Sequence, residues 1–186
     1  ANASNTGPIK GAVTAPASAD PDTTIKMDAD PVCAGLHTSP VETQTVTGAA
    51  NGLDGASDVA VSPDNEFVYV TAADGNTITV FHRTGTSLDL PPVQIVENGV
   101  NGVRNFSQPS DVAVTADGKY VLVTTAQTNS VFVFQRDAST GALTFAQVLR
   151  NNTGDVTGLR TPSSLALDPS GKVIYAGAAG LGNFEG

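Results

Sequence analysis

The chain has 186 residues, 40% of them hydrophobic and 15% charged, which is long and apolar enough for one domain with a hydrophobic core. Nine Lys and Arg against eighteen Asp and Glu give a formal net charge of −9, so nucleic acid and anionic membranes are unfavourable partners. The single Cys excludes an intrachain disulfide, and no apolar run reaches the roughly eighteen residues of a membrane span.

Residues 1–40 differ in composition from the rest of the chain. They are rich in Ala, Pro, Asp and Thr and contain two strand-like pieces, "IKGAVTA" and "TTIKMDA". We predict an extended β arm that pairs with another subunit, or a small β-hairpin packed on the segment that follows; a flexible tail is the alternative. The small polar start "ANASN", low Lys content and abundant Thr, Asn and Gly predict a secreted or cell-surface protein.

One pattern in this arm hints at a cofactor. Cys33 and His37 form C-x-x-x-H, which is the c-type haem attachment motif with Leu36 in place of the second Cys. The missing thiolate favours an incidental Cys, so haem c or copper at these two residues is a secondary hypothesis and no cofactor is predicted. The acidic pairs in "ADPDTT" and "MDADP" leave calcium possible, although they lack the Gly and distal Glu of an EF-hand loop.

A repeat with a period of 53 residues follows the arm. "SDVAVSPDNEFVYVTAADGNTITVFHR" begins at Ser57, "SDVAVTADGKYVLVTTAQTNSVFVFQR" at Ser110 and "SSLALDPSGKVIYAGAA" at Ser163. Alternating apolar and polar residues predict three strands in each of the first two units, and a fourth follows at 93–97 and at 143–149. Each complete unit is therefore predicted to be a four-stranded antiparallel meander.

The turn between the first two strands of each unit has a residue that tolerates the left-handed backbone conformation. Asn65, Gly118 and Gly171 occupy equivalent positions in "SPDNE", "TADGK" and "DPSGK". These residues favour a tight hairpin turn, so Gly118→Val is expected to cost stability.

The repeats resemble those of a known family. "SPDNEFVYVTAADGNTITVFHR" and "KYVLVTTAQTNSVFVFQRDASTGALTFAQVL" resemble the YVTN-type repeats of lactonase-like, seven-bladed β-propellers, similar to the 6-phosphogluconolactonase family. The resemblance covers roughly residues 41–179. It implies an all-β fold, a partial β-propeller of four-stranded antiparallel blades preceded by the extended β arm, and it specifies the type of blade rather than a reaction.

The alignment divides the chain into the arm at 1–40 and about two and a half blades at 41–186. "QTVTGAANG" at 44–52 matches "QIVENGVNG" at 94–102, so 41–52 is predicted to be an orphan fourth strand. Complete blades are predicted at 53–105 and 106–158, and an incomplete blade at 159–186. Stable propellers have about four to eight blades, so the missing strands are expected from a longer chain or from neighbouring copies, an open arc that is stable alone being the third possibility.

The sequence favours a non-catalytic role. It contains no G-x-S-x-G elbow, no H-E-x-x-H and no phosphate-binding Gly loop before a helix. Asp58 and Asp111 stand at equivalent first-strand positions, and this repetition favours a structural role, bonding turn backbone at the entry to each blade, over the alternative of a catalytic role.

We therefore predict a structural or interaction protein of the cell surface or of an extracellular filament. It would assemble by β-strand complementation with copies of itself or with the rest of a longer chain. A fragment of a lactonase-type propeller enzyme is the alternative, and a haem or copper electron-transfer subunit is the second alternative. The predicted interface residues are Val173, Ile174, Tyr175 and Ala176 on the accepting strand and Ile9 and Val13 on the donating strand.

Overall fold

The computed structural model of the chain describes residues 25–28, 42–168, 170 and 173–180. Those residues form thirteen strands and one short 3-10 helix, Ala49–Asn51. Among them no helix is long and apolar enough to cross a membrane. In chain order the strands are β1 Ile25–Asp28, β2 Glu42–Val46, β3 Ala56–Val61, β4 Phe67–Ala72, β5 Thr77–Thr84, β6 Ser87–Leu88, β7 Gln94–Glu97, β8 Pro109–Val114, β9 Tyr120–Thr125, β10 Ser130–Arg136, β11 Leu143–Arg150, β12 Pro162–Leu167 and β13 Ile174–Ala178.

Two complete blades form the centre of the described chain. Strands β3, β4, β5 and β7 make the first blade, and β8, β9, β10 and β11 make the second, with every neighbouring pair antiparallel. The short strand β6 adds a small hairpin to the end of β5. The all-β fold and the four-stranded blades predicted from the sequence are thus confirmed, and the described chain is part of a propeller.

The turns behave as their residues predict. Asn65 and Gly118 lie at φ 62° and φ 68°, in the left-handed region that Asn and Gly enter at low cost. The equivalent Gly171 lies outside the described residues. These turns connect the first and second strands of the two complete blades.

A pair of strands precedes the first blade, which corrects the prediction of an orphan fourth strand. β1 and β2 are antiparallel and pair Ile25 with Val46, in the register that pairs Ile78 with Val96 across the third and fourth strands of the first blade. Ile25, Ile78 and Val131 follow one another at 53-residue intervals, so β1 is a third strand. The repeat was missed here because β1 has only four residues and a long connection to β2.

The third unit contributes the opposite pair of strands. β12 and β13 pair Leu165 with Ala176, in the register that pairs Val59 with Val70 across the first and second strands of the first blade. The described chain thus consists of an N-terminal half-blade (β1 and β2), two complete blades, and a C-terminal half-blade (β12 and β13).

The main core lies between the two complete blades. Phe106 packs edge-on against Phe132 at 5.0 Å between ring centroids and against Phe134 at 6.1 Å, and Tyr69 and Val80 of the first blade belong to the same cluster. Since burial of apolar area is the dominant favourable term in folding, this cluster holds the blades side by side.

Candidate functional site

The inner strands of successive blades are linked by a repeated Asp. β3 contacts β8 and β8 contacts β12, so the three inner strands form one row. Asp58 accepts a hydrogen bond from the backbone N–H of Val112 at 2.9 Å, and Asp111 accepts one from the backbone N–H of Leu165. The two carboxylates therefore bond the backbone of the next inner strand, and not the turn backbone that we predicted, because adjacent inner strands lie close enough for a short side chain to bridge them.

The Ser before each Asp makes a second link. Ser57 donates to the carbonyl of Pro109 at 2.8 Å, and Ser110 donates to the carbonyl of Pro162 at 2.9 Å. Each Ser-Asp dipeptide thus gives its two side chains to the neighbouring blade. The sequence shows the dipeptides, but only the structure shows which backbone groups they meet.

The two carboxylates also interact with each other. Burial raises the pKa of Asp111, and its hydrogen bond with Asp58 raises the pKa further, to about 7. Within the pair, Asp111 therefore exchanges its proton near neutral pH, since a carboxyl group beside a second carboxylate resists ionisation. Such a pair can both accept and return a proton, which is the chemistry of a general acid or base.

A buried arginine joins the complete blades farther from the inner strands. Arg136, whose side chain is 1% exposed, donates through Nε to the Tyr69 hydroxyl at 2.7 Å and through Nη2 to Asp64 at 2.5 Å. Its guanidinium lies 5.2 Å from the centroid of the Phe67 ring. Burial alone would raise the pKa of Asp64, but hydrogen bonds from Ser62 and Arg136 outweigh it and lower that pKa below its ordinary value.

Glutamine side chains clamp the outer strands in the same repeated manner. Gln94 donates to the carbonyl of Leu143 at 3.1 Å and accepts from the N–H of Leu143 at 2.7 Å. Gln44, on the N-terminal half-blade, makes the same pair of hydrogen bonds with Leu88 at 3.0 and 2.6 Å. The N-terminal half-blade therefore packs against the first blade as the first blade packs against the second.

An open, polar groove lies beside the turn between β9 and β10 and the segment that follows β11. Its volume is about 630 Å³, within the range of small-ligand sites. Arg150 on its wall donates to the carbonyl of Arg104 at 3.0 Å and lies over the Phe132 ring. The residues that line the groove are Thr128, Asn129, Arg150, Asn151, Asn152, Thr153, Gly158 and Arg160.

The predicted cofactor residues and the predicted donor strand lie outside the described residues. These are Cys33 and His37, and Ile9 and Val13. Residues 25–28, 42–168, 170 and 173–180 contain no cluster of three or more His, Cys, Asp or Glu arranged to hold a metal ion. Haem, copper and calcium binding therefore stay predictions from the sequence.

The predicted accepting strand is described and its side chains are open to solvent. Val173 precedes β13, and Ile174, Tyr175 and Ala176 form its first three residues. Tyr175 has 61% of its surface exposed, and Val173 and Ile174 are also large, exposed apolar residues. Within the described chain, β12 is the one strand that pairs with β13. The interface assignment itself remains a prediction.

Comparisons with known proteins agree on the type of fold. A family model described as "Lactonase, 7-bladed beta-propeller" matches residues 34–148, which is more than half of the chain. The chain is 29% identical to hydrazine synthase subunit beta of Kuenenia stuttgartiensis, over 66% of this chain and 33% of that protein.

Among solved structures, the chain is similar to the periplasmic gluconolactonase of Pseudomonas aeruginosa, with a TM-score of 0.59 and 19% identity over 74% of this chain and 37% of that one. It is also similar to a putative 6-phosphogluconolactonase of Bacteroides uniformis, with a TM-score of 0.55 and 16% identity over 76% of this chain and 36% of that one. The chain therefore spans about a third of the length of these proteins.

Proposed function

Because the chain belongs to the seven-bladed lactonase β-propeller family, we propose that it supplies blades to a propeller that hydrolyses a sugar lactone. Two structural relatives, a gluconolactonase and a putative 6-phosphogluconolactonase, support this choice of substrate class. The proposal replaces the non-catalytic role as the first hypothesis, because the family match favours the alternative that the sequence left open.

The observation that carries the proposal is the carboxylate pair on the inner strands. In hydrolysis, a water oxygen adds to the lactone carbonyl carbon, the ring C–O bond breaks, and a proton moves from the water to the departing ring oxygen. A general base near neutral pKa removes the first proton and, once protonated, returns it to the alkoxide. The pKa of Asp111, about 7 beside Asp58, suits both steps.

The polar groove offers a second supporting feature. Arg150 and Arg160 place cationic groups beside Asn and Thr side chains, in a chain whose net charge is −9. Guanidinium groups bind phosphate or carboxylate, and side-chain amides bind sugar hydroxyls. A sugar lactone that carries a phosphate, or the acid that its hydrolysis releases, matches these donors.

The test is whether the native protein hydrolyses glucono-δ-lactone or 6-phosphogluconolactone faster than the spontaneous reaction in buffer, with acid release measured by pH-stat titration. Asp111→Asn is expected to lower kcat at least tenfold, while Glu66→Gln, at an exposed position in the turn between β3 and β4, leaves it unchanged. If neither lactone is turned over faster than in buffer, the hydrolytic function fails. If Asp111→Asn hydrolyses at the parent rate, the pair has no part in the chemistry.

We propose as a second candidate that the protein is a structural or interaction module, acting outside the cytoplasm by β-strand complementation. Among the described residues β13 pairs with β12 alone, which favours this candidate because a strand edge without a neighbour binds other strands through its backbone groups. Relatives named as a synthase subunit and as a periplasmic enzyme support the assembly and the location, respectively. Strand complementation repeated from one copy to the next would build an extracellular filament.

Its test is the native mass of the protein in extracts of its source cells, with the location read from fractionation. A mass well above that of the free polypeptide supports an assembly function. A native monomer argues against it.

A further inference from the structure

The polar groove can be compared with the equivalent place one repeat, 53 residues, earlier in the chain. Its lining residues all lie between Thr128 and Arg160, in the second blade and in the loop that follows it. That loop aligns without gaps with the loop after the first blade, because Asn98 and Asn151 each accept the backbone N–H eight residues later. The two boundaries between blades therefore correspond residue by residue.

Two of the lining positions carry the same residue at both boundaries, and both have a structural task. Asn129 and its counterpart Asn76 each accept a backbone N–H at the entry to the next inner strand, at 2.7 and 2.8 Å. Asn151 and its counterpart Asn98 hold the loop in the same manner. Because the Oδ1 atoms of Asn129 and Asn151 are engaged, their Nδ2 groups are left as donors for the groove.

The six other lining positions differ, and each difference adds a polar group or removes bulk. Arg150 stands where the first boundary has Glu97, and Arg160 stands where it has Ser107. These two changes add two positive charges and one, three in all. The one acid of this loop, Asp155, does not line the groove. The remaining differences are Thr128 for Gly75, Asn152 for Gly99, Thr153 for Val100 and Gly158 for Asn105.

Arg150 is fixed in position before any ligand binds. Its Nη2 donates to the carbonyl of Arg104 at 3.0 Å, and its guanidinium lies 5.8 Å from the centroid of the Phe132 ring. A guanidinium has several N–H donors and binds a carboxylate through two of them at once, so donors remain for a ligand. In a chain with a net charge of −9, two cations on a wall without acids favour an anionic ligand.

The groove runs along the edge of the second blade. Arg150 ends the outermost strand, β11, Thr128 and Asn129 belong to the turn between β9 and β10, and Arg160 comes two residues before β12. Neighbouring strands are about 4.8 Å apart, so the outermost and innermost strands of a blade are about 14 Å apart. That length exceeds a single sugar ring. An open, polar groove of this length suits an extended polar chain better than one small apolar molecule.

We propose that this groove binds an acidic oligosaccharide, with carboxylates on Arg150 and Arg160 and sugar hydroxyls on the Asn and Thr side chains. Side-chain amides and hydroxyls exchange hydrogen bonds with sugar hydroxyls, and guanidinium groups pair with carboxylates. The two cations stand at the outer and inner ends of the groove, so a chain with a carboxylate on each sugar engages both. A hexose phosphate has one charged group and is the competing occupant. The proposal goes beyond lactone hydrolysis and does not depend on it.

The first measurement is titration calorimetry of the native protein with the linear trimer of galacturonic acid at about pH 7, where its carboxylates are ionised. The trimer should bind, and added salt should weaken its binding. Maltotriose, a neutral trimer, and glucose 6-phosphate should each bind about tenfold more weakly or less, because they lack the repeated carboxylates. Absence of trimer binding overturns the proposal. Equal binding of maltotriose, or of glucose 6-phosphate, overturns it as well, and the latter result assigns the groove to a phosphate.

The chain itself supplies the substitutions for the second measurement. Arg150→Glu and Arg160→Ser restore the residues of the first boundary, which the same fold already accommodates there. Each should weaken binding of the trimer about tenfold or more, because charge-assisted hydrogen bonds are lost. Lys119→Ser is the control for Arg160→Ser, since it also removes one positive charge, at an exposed position in the turn between β8 and β9.

The control should weaken binding by less than about twofold, because an exposed charge outside the groove acts only through screened electrostatics. Circular dichroism checks that each variant is folded. Parent-like binding by Arg160→Ser, or an equal loss with Lys119→Ser, would overturn the site. Neither measurement involves lactone turnover, so the binding site and the hydrolytic function succeed or fail separately.

Discussion

Arg136 donates a hydrogen bond through Nε to the hydroxyl of Tyr69 at 2.7 Å, which ties the third strand of the second blade to the second strand of the first. The guanidinium also forms an ion pair with Asp64 at 2.5 Å and is almost wholly buried. A buried charge is costly unless its donors are satisfied, so the stability of this boundary depends on keeping every partner in place.

Tyr69→Phe is therefore expected to destabilise the protein by about 1–3 kcal/mol, because it leaves the Nε of Arg136 buried without an acceptor. The measurement is urea unfolding at a fixed protein concentration. Tyr120→Phe is the control, since the Tyr120 side chain is exposed, and should change stability by less than about 0.5 kcal/mol. Equal losses of stability in the two variants would show that the hydrogen bond between the Tyr69 hydroxyl and Arg136 does not stabilise the fold.

Gly141 is expected to be among the least replaceable glycines of the described chain. Its φ is +71°, and a Cβ there would lie 2.2 Å from the Phe67 ring. Gly85 has φ +62° but nothing within 4 Å of the same virtual atom. Both Ala variants carry the left-handed strain of about 1–2 kcal/mol, and Gly141→Ala adds overpacking of about 1–3 kcal/mol.

Thermal unfolding of Gly141→Ala and Gly85→Ala separates the cost of overpacking from the cost of backbone strain. The difference between their melting temperatures reports the steric contact with Phe67, since the backbone term is shared. If the variants melt together, the ring moves aside freely and the contact does not hold the blades.

The period of the sequence revealed the fold, because alternation and hairpin turns are local signals. Asn65 and Gly118 could be assigned to tight turns from their own chemistry. β1 lies in the strand-like piece "TTIKMDA", but its place in a blade could not be assigned in the same way. Its four residues carry too little pattern, and its identity as a third strand emerges only when Ile25 is seen paired with Val46.

The site was less predictable than the fold, because its key contacts cross blade boundaries. Asp58 and Asp111 were visible as a repeated pair, yet nothing in the sequence said that their carboxylates meet the backbone of the next inner strand. The Arg136 cluster was missed altogether. Tyr69 and Arg136 are 67 residues apart, and no local signal pairs residues at such a distance.

Asp111→Asn should change how stability depends on pH. The folded-state pKa of Asp111, about 7, lies above its ordinary value of 3.8, so the folded state binds more protons than the unfolded state between these values. The contribution of this group to stability is full below its unfolded pKa and is lost as pH rises through 7. The Asn side chain cannot ionise and can still accept the N–H of Leu165.

The measurement is urea unfolding of the parent and of Asp111→Asn from pH 5 to pH 8. The variant should gain stability relative to the parent as pH rises, with most of the gain complete by pH 8. Asp155→Asn, at an exposed position, serves to subtract the effect of removing one charge. A parent-to-variant difference that stays constant with pH would contradict the proton-sharing pair.

Gln94 and Gln147 are matched positions whose surroundings differ. Gln94 makes two hydrogen bonds with the backbone of Leu143, at 2.7 and 3.1 Å, and so joins the first blade to the second. Gln147 stands 53 residues later on the fourth strand of the second blade and is exposed. Gln94→Ala leaves two partly buried backbone groups without their side-chain partners, at an expected cost of about 1–3 kcal/mol.

Gln147→Ala removes the same side chain from the equivalent position of the next blade, so comparison with Gln94→Ala isolates the effect of the two hydrogen bonds with Leu143. It should alter the free energy of unfolding by less than about 0.5 kcal/mol in urea titrations at the same protein concentration as Gln94→Ala. A large loss with Gln147→Ala would mean that the position matters for the strand itself. The contrast between the two variants therefore measures what the contact between neighbouring blades adds to the stability of each.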